Sequence, residues 1–228
     1  MKLFSSFLDL LFPPKCPFCG RVLDVPGICD ACQKALPWTE GEEAVRRGPD
    51  GFRCAAPLRY EGLAKEGLHR FKFRKMPSAA GPIGELIAQC AAEHFSGEFD
   101  TVTWVPVSRR RLRQRGYDQA RLLAESACRL WDTKPVSLLH KTVHNPAQSG
   151  LKEAAARRAN VLGVYEPVDP DQIAGRRILL IDDICTTGST LSECARVLRD
   201  AGATDVVCTA VALTTLERNP GARTEKKA

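Results

Sequence analysis

The 228-residue chain is 44% hydrophobic and 26% charged. That is the profile of an ordinary globular protein and excludes a disordered chain, a fibre or a coiled coil. Lys and Arg exceed Asp and Glu by 33 to 27, a net charge of +6 that is modest overall but locally concentrated. The apolar lead Leu3 to Phe12 is interrupted by Asp9 and falls short of the roughly 18 residues of a membrane span. The start also lacks a secretory signal pattern, so a cytoplasmic address without a membrane span is expected.

The ten cysteines divide into a crowded set and a scattered one. Cys16-Pro-Phe-Cys19 and Cys29-Asp-Ala-Cys32 are two Cys-x-x-Cys knuckles separated by nine residues. Such a pair suits tetrahedral coordination of one Zn²⁺, and with four protein ligands Cys16, Cys19, Cys29 and Cys32 the site would be structural. Gly20 supplies the backbone freedom of the knuckle turn. A redox pair or unbound thiols are the alternatives. Cys54, Cys90, Cys128, Cys185, Cys194 and Cys208 read as small apolar fillers.

Residues 40 to 51 are charged and glycine-rich, as in a linker or loop. A strand is expected at 53–60 and a basic helix at 62–73. The latter begins a cationic cluster of His69, Arg70, Lys72, Arg74 and Lys75. Ile83, Leu86, Ile87, Cys90, Ala91 and His94 mark one face of a helix. Thr101 to Val107 is a strand. Residues 109–115 then hold five arginines in seven positions, an anion-binding composition whose bland alternative is a solvated face. Ala120 to Trp131 repeats the helical period, and Val136 to Leu139 reads as a brief strand. Residues 151–160 read as helical. Arg177 to Ile184 is a buried strand, Leu191 to Leu198 a helix stopped by Gly202, and Asp205 to Leu213 a final strand. Continuous apolar strands alternating with amphipathic helices predict an α/β fold: a mostly parallel sheet with helices on both faces. The small N-terminal four-cysteine module precedes it.

The most informative stretch is Ile178-Leu-Leu-Ile-Asp182-Asp183-Ile-Cys-Thr186-Thr187-Gly188-Ser189-Thr190. Two acids end a buried strand, where open α/β sheets bind ligands. A hydroxyl-rich loop follows, and a helix start favours an anion there. The loop suits a phosphate monoester, and the carboxylates suit sugar hydroxyls or a Mg²⁺-bound sugar. No P-loop or dinucleotide fingerprint occurs. A second strand-loop-helix unit, Trp104-Val-Pro-Val-Ser108 followed by Arg109, Arg110, Arg111, Arg113 and Arg115, would place an anion site on the same sheet edge. Arginine suits it through bidentate phosphate contacts.

The acidic stretch is similar to the phosphoribosyl-pyrophosphate (PRPP) motif of type I phosphoribosyltransferases. The wider pattern resembles the ComF family of competence-associated phosphoribosyltransferase-like proteins. The double knuckle, Phe71-Lys-Phe-Arg, Arg115-Gly-Tyr-Asp-Gln-Ala and the segment Lys141 to Val161 carry that resemblance. It implies that Asp182 and Asp183 contact the ribose hydroxyls, with Mg²⁺, and that Thr186, Thr187, Gly188, Ser189 and Thr190 cradle the 5′-phosphate. Ser108, Arg109, Arg110, Arg111, Arg113 and Arg115 would meet the pyrophosphate. Thr142, Gln148, Arg157 and Asn160 would belong to a mobile loop that closes over the site. The implied organisation is a zinc module at 1–40, a linker or hood-like segment at 41–75, a phosphoribosyltransferase-like domain at 76–216 and a tail at 217–228.

Three functional readings follow. The first is an enzyme that transfers phosphoribosyl to an amine acceptor. No general base stands out for it, although His140 and His144 lie near the mobile segment. The second is a non-catalytic protein of DNA import, handling single-stranded DNA beside a helicase-like competence ATPase. There the arginines would hold the backbone, Phe71 and Phe73 would stack bases, and PRPP would regulate. The third is a zinc-organised docking module on an inert transferase fold.

Overall fold

The computed structural model describes residues 13–73, 76–142 and 162–215. The second knuckle runs into a short helix α1 (Asp30–Ala35), which carries Cys32, and a 3₁₀ turn and strands β1 (Val45–Arg47), β2 (Arg53–Ala55) and β3 (Leu58–Arg59) follow. The basic segment forms α2 (Gly62–Phe73). Then follow α3 (Ala80–Phe95), β4 (Thr101–Trp104), α4 (Arg109–Arg115) and α5 (Gln119–Leu130). A small antiparallel ribbon of β5 (Leu139–Lys141) and β6 (Tyr165–Pro167) precedes β7 (Arg177–Cys185), α6 (Ser189–Asp200) and β8 (Asp205–Leu213).

The main sheet runs β1-β2-β8-β7-β4, with β3 also on β8. Every pairing is parallel except β1 with β2. The long strands β7 and β8 are central, and the runs Ile178 to Ile181 and Val206 to Cys208 within them are apolar, as strands covered on both faces require. Period two sorts their side chains. Leu179, Ile181, Val207 and Val211 join the core under α2, α3 and α5. Ile178, Leu180, Val206 and Cys208 join a second core under α6 and the ribbon.

Several expectations change: the strand expected at 53–60 divides into β2 and β3, and the one expected from Thr101 to Val107 ends at Trp104. Residues 40–51 do not run free of the sheet, because Val45 to Arg47 pair with Arg53 to Ala55 and thereby extend it. The strand expected at 136–139 lies later, at Leu139 to Lys141, because its register is set by the distant partner Tyr165 to Pro167. The expected helix at 151–160 and the tail at 217–228 lie outside the described residues. Among the described residues no helix is long and apolar enough to cross a membrane.

Helices α3 and α5 meet at Gly84. A methyl group there would lie 2.3 Å from Ser126 Cβ and 3.1 Å from the Leu123 carbonyl oxygen. Gly84→Ala is therefore expected to destabilise the protein by about 1–3 kcal/mol through overpacking. In urea unfolding the midpoint should fall with the slope unchanged.

Candidate functional site

The site is built at the carboxyl end of β7. Adjacent residues of a strand point to opposite faces, so the two acids separate. Asp182 continues the row of Ile178 and Leu180 toward α6 and the ribbon. Asp183 continues the row of Leu179 and Ile181 toward α2, α3 and α5. Burial, then the negative charge of Asp183, pushes the Asp182 carboxyl well above the usual carboxylate range. Asp182 Oδ1 accepts the Asp183 backbone N–H at 2.8 Å.

On the Asp183 side, Lys72 of α2 places its Nζ 2.9 Å from Asp183 Oδ1, with both side chains largely covered. The end of α2 is fixed there. Phe71 is buried in the core, and its carbonyl accepts from the Tyr117 hydroxyl. Asp118 caps α5 by accepting the Arg121 N–H, and it also accepts the Val107 N–H at 3.1 Å. Burial raises its carboxyl, and the Asp183 charge adds to that rise. On the Asp182 side, Lys141 Nζ stands 3.3 Å from the Tyr165 hydroxyl. Burial lowers the lysine and raises the phenol, and both feel the Asp182 charge.

After β7 the chain turns through Thr186 and Thr187 to Gly188, whose φ of 80° is left-handed. A Cβ there would also sit 3.2 Å from the Phe52 ring, so glycine answers both constraints. Thr187 Oγ1 and Ser189 Oγ are 2.7 Å apart, and the Ser189 N–H points to Thr187 Oγ1. Helix α6 begins at Ser189 and runs for 12 residues. Arg46 of β1 pins this turn from outside. It donates to the carbonyls of Cys185 (3.2 Å), Thr186 and Thr214. Cys185 is buried. Its thiol is held below the ordinary value by hydrogen bonding with Cys54, against burial, with help from Arg46.

The expected arginine loop is a helix. The Ser108 side chain accepts the Arg111 N–H at the start of α4, and Gly116, at φ 85°, closes the end. Capping at both ends makes these seven residues helical and fans the arginines apart. Arg111 is half-buried, and its charge feels Asp183 and Tyr165. Arg115 donates to Gln119 Oε1 at 2.7 Å and lies over the Phe73 ring. Arg109, Arg110 and Arg113 are exposed along a cavity of about 940 Å³ that also touches Trp104 and His140. The expectation that Phe71 stacks bases is corrected, because it is 1% exposed while Phe73 is 58% exposed. Thr142 accompanies the ribbon, its N–H donating to the Val164 carbonyl. Gln148, Arg157 and Asn160, with Arg74, Lys75 and His144, lie outside the described residues.

The four knuckle thiols come together. The Sγ atoms of Cys16, Cys19, Cys29 and Cys32 all lie within 4.8 Å of one another. Cys16, Cys29 and Cys32 are buried and Cys19 is exposed. The first knuckle is tied by Cys16 N–H to the Arg21 carbonyl and by Gly20 N–H to the Cys16 carbonyl. A soft, closed four-thiolate set of this size fits structural Zn²⁺. The module is not remote from the main body. A Cβ on Gly67 of α2 would meet the Phe18 ring at 2.6 Å and the Pro17 carbonyl at 3.1 Å.

Comparison with known proteins decides the family. Residues 83–228, more than half of the chain, match the phosphoribosyl transferase domain model. The chain belongs to the phosphoribosyl transferase domain family. Residues 7–66 of this phosphoribosyl transferase-type chain match the double zinc ribbon domain, which with the cysteine cluster supports structural zinc. Similar curated proteins include competence protein ComFC of Bacillus subtilis, 27% identical over 82% of this chain and 72% of that protein. Competence protein F of Haemophilus influenzae is 36% identical over 45% of each chain. DNA utilization protein YhgH of Escherichia coli is 26% identical over 86% of this chain and 96% of that protein. A transferase domain joined to a zinc ribbon, with relatives of these names, makes this a ComF-type chain.

Sequence reasoning missed three contributors. Arg46 lies in the expected linker, Asp118 stands without a role in the Arg115-Gly-Tyr-Asp-Gln-Ala segment, and Lys72 is one cation in a cluster. Their roles depend on pairings across the fold that no local pattern carries.

The purified chain is expected to contain one zinc per molecule by elemental analysis. Cys32→Ser should lose that metal and lower the melting temperature, since binding energy of a structural zinc is folding energy.

Proposed function

We propose that this chain is a PRPP-binding phosphoribosyltransferase-like protein of the ComF type that supports DNA uptake. The observation that carries the reading is the turn Thr186–Ser189 between an acid-ended central strand and the start of a 12-residue helix. In this reading Asp182 and Asp183 take the ribose hydroxyls from the two sides of β7. The amides and hydroxyls from Thr186 to Thr190 take the 5′-phosphate, aided by the positive end of α6. Arg111, the arginine of α4 that feels the Asp183 charge, opposes the pyrophosphate. Arg109, Arg110 and Arg113 line its approach. The carboxylate oxygens fit a hard cation such as Mg²⁺, which when bound would neutralise pyrophosphate charge. Loss of pyrophosphate from C1 through an oxocarbenium-like state, with attack by an amine, is the class of reaction that such a site would support. The relatives named competence proteins and DNA utilization protein support the cellular role.

Calorimetric titration with PRPP and Mg²⁺ tests the reading. Wild type should bind, and Asp182→Asn/Asp183→Asn should lose at least about tenfold in affinity, the size expected for hydrogen bonds to charged groups. Absence of wild-type binding would refute it.

A second reading rests on the exposed Phe73, with Arg115 over its ring at 5.3 Å and His69 beside it at 4.8 Å. Together with exposed Arg109, Arg110 and Arg113, it forms a cationic, aromatic surface suited to single-stranded DNA. Arg109→Ala/Arg110→Ala/Arg113→Ala should weaken binding of a fluorescent oligonucleotide. It should also flatten the plot of log affinity against log salt by about two, roughly 0.7 per lost phosphate contact. A helicase-like partner remains part of the same proposal.

A further inference from the structure

The ion pair between Lys72 and Asp183 has no role in the ligand contacts proposed above, yet it engages one of the two acids assigned to the ribose. Lys72 Nζ lies 2.9 Å from Asp183 Oδ1. The side chains are 20% and 13% exposed, so water screens the pair less than a surface one. Lys72 does not arrive there by free rotation of a long surface side chain. Its helix is held against the zinc module where Gly67 meets Phe18. The preceding residue is buried, and its carbonyl is bonded to Tyr117. The ammonium is therefore delivered to the carboxylate by packing on both sides of α2.

A carboxylate oxygen in contact with an ammonium cannot at the same time present that lone pair to a sugar hydroxyl or a divalent cation. We propose that Lys72 is a resident counter-cation of the site, which ribose hydroxyls or a divalent cation must displace to take Asp183 Oδ1. Helix α2 then acts as a built-in competitor that sets the affinity of the acid pair. This rests on the reading of Asp183 as a ligand-binding residue.

The test uses the full chain with zinc bound and compares wild type, Lys72→Met and Lys72→Met/Asp183→Asn. Each is titrated with Mn²⁺ alone, followed by paramagnetic resonance, and with PRPP plus Mg²⁺, followed by calorimetry. Circular dichroism and zinc content establish that the variants are folded, and Lys72→Gln replaces Lys72→Met if the latter is not. Removal of the competitor should tighten Mn²⁺ or PRPP about tenfold, the scale of coupling between competing ligands. The gain should vanish when Asp183 is also replaced. Tightening of either probe that depends on Asp183 supports the proposal. Unchanged or weaker binding of both overturns it, and weaker PRPP binding would mark Lys72 as a ligand contact instead. The two readings separate cleanly. Tighter Mn²⁺ with no PRPP binding by any form refutes the PRPP site and leaves the counter-cation. PRPP binding by wild type with no gain in Lys72→Met does the reverse.

Discussion

Two carboxylates side by side at the end of a buried strand set the terms for everything around them. Burial penalises the charge of Asp182, and the neighbouring charge of Asp183 adds to that penalty. The pleat eases the conflict by sending Asp182 and Asp183 to opposite faces of the sheet. Lys72 touches Asp183 and its charge also reaches Asp182, Arg111 lies within electrostatic range of Asp183, and Lys141 lies within range of Asp182. Arg46 fixes the following turn by donating to the carbonyls of Cys185, Thr186 and Thr214.

The fold was legible where a segment decides its own structure. β8 runs from Asp205 to Leu213 and α2 from Gly62 to Phe73 as the residue pattern predicts, because burial on both sides and a 3.6-residue period leave strong marks. The ribbon was misplaced because its register belongs to a partner far along the chain. The arginine segment reads as a loop because a dense run of one charge hides the helical period, and the Ser108 cap and Gly116 stop are the local signals of its helix.

The chemistry was half legible. Acids at a strand end, a hydroxyl-rich turn and paired knuckles are local and were visible. Their counter-charges were not. Lys72 reads as one more cation on a basic helix, and Phe71 and Phe73 read alike, although one is core and the other is surface. Helical phase separates them only when it is known which side of α2 faces the sheet.

The edge strands carry a consequence for how this chain can be divided. The family match begins at residue 83, yet β8 is bordered on its outer side by β2 and β3, drawn from residues 53 to 59. A fragment cut at the family boundary would bare the N–H and C=O groups along that side of a long apolar strand. Such an edge invites pairing with a neighbouring molecule. The isolated transferase portion would therefore be a sticky, self-associating species, and the N-terminal segments serve the sheet as its solubilising border.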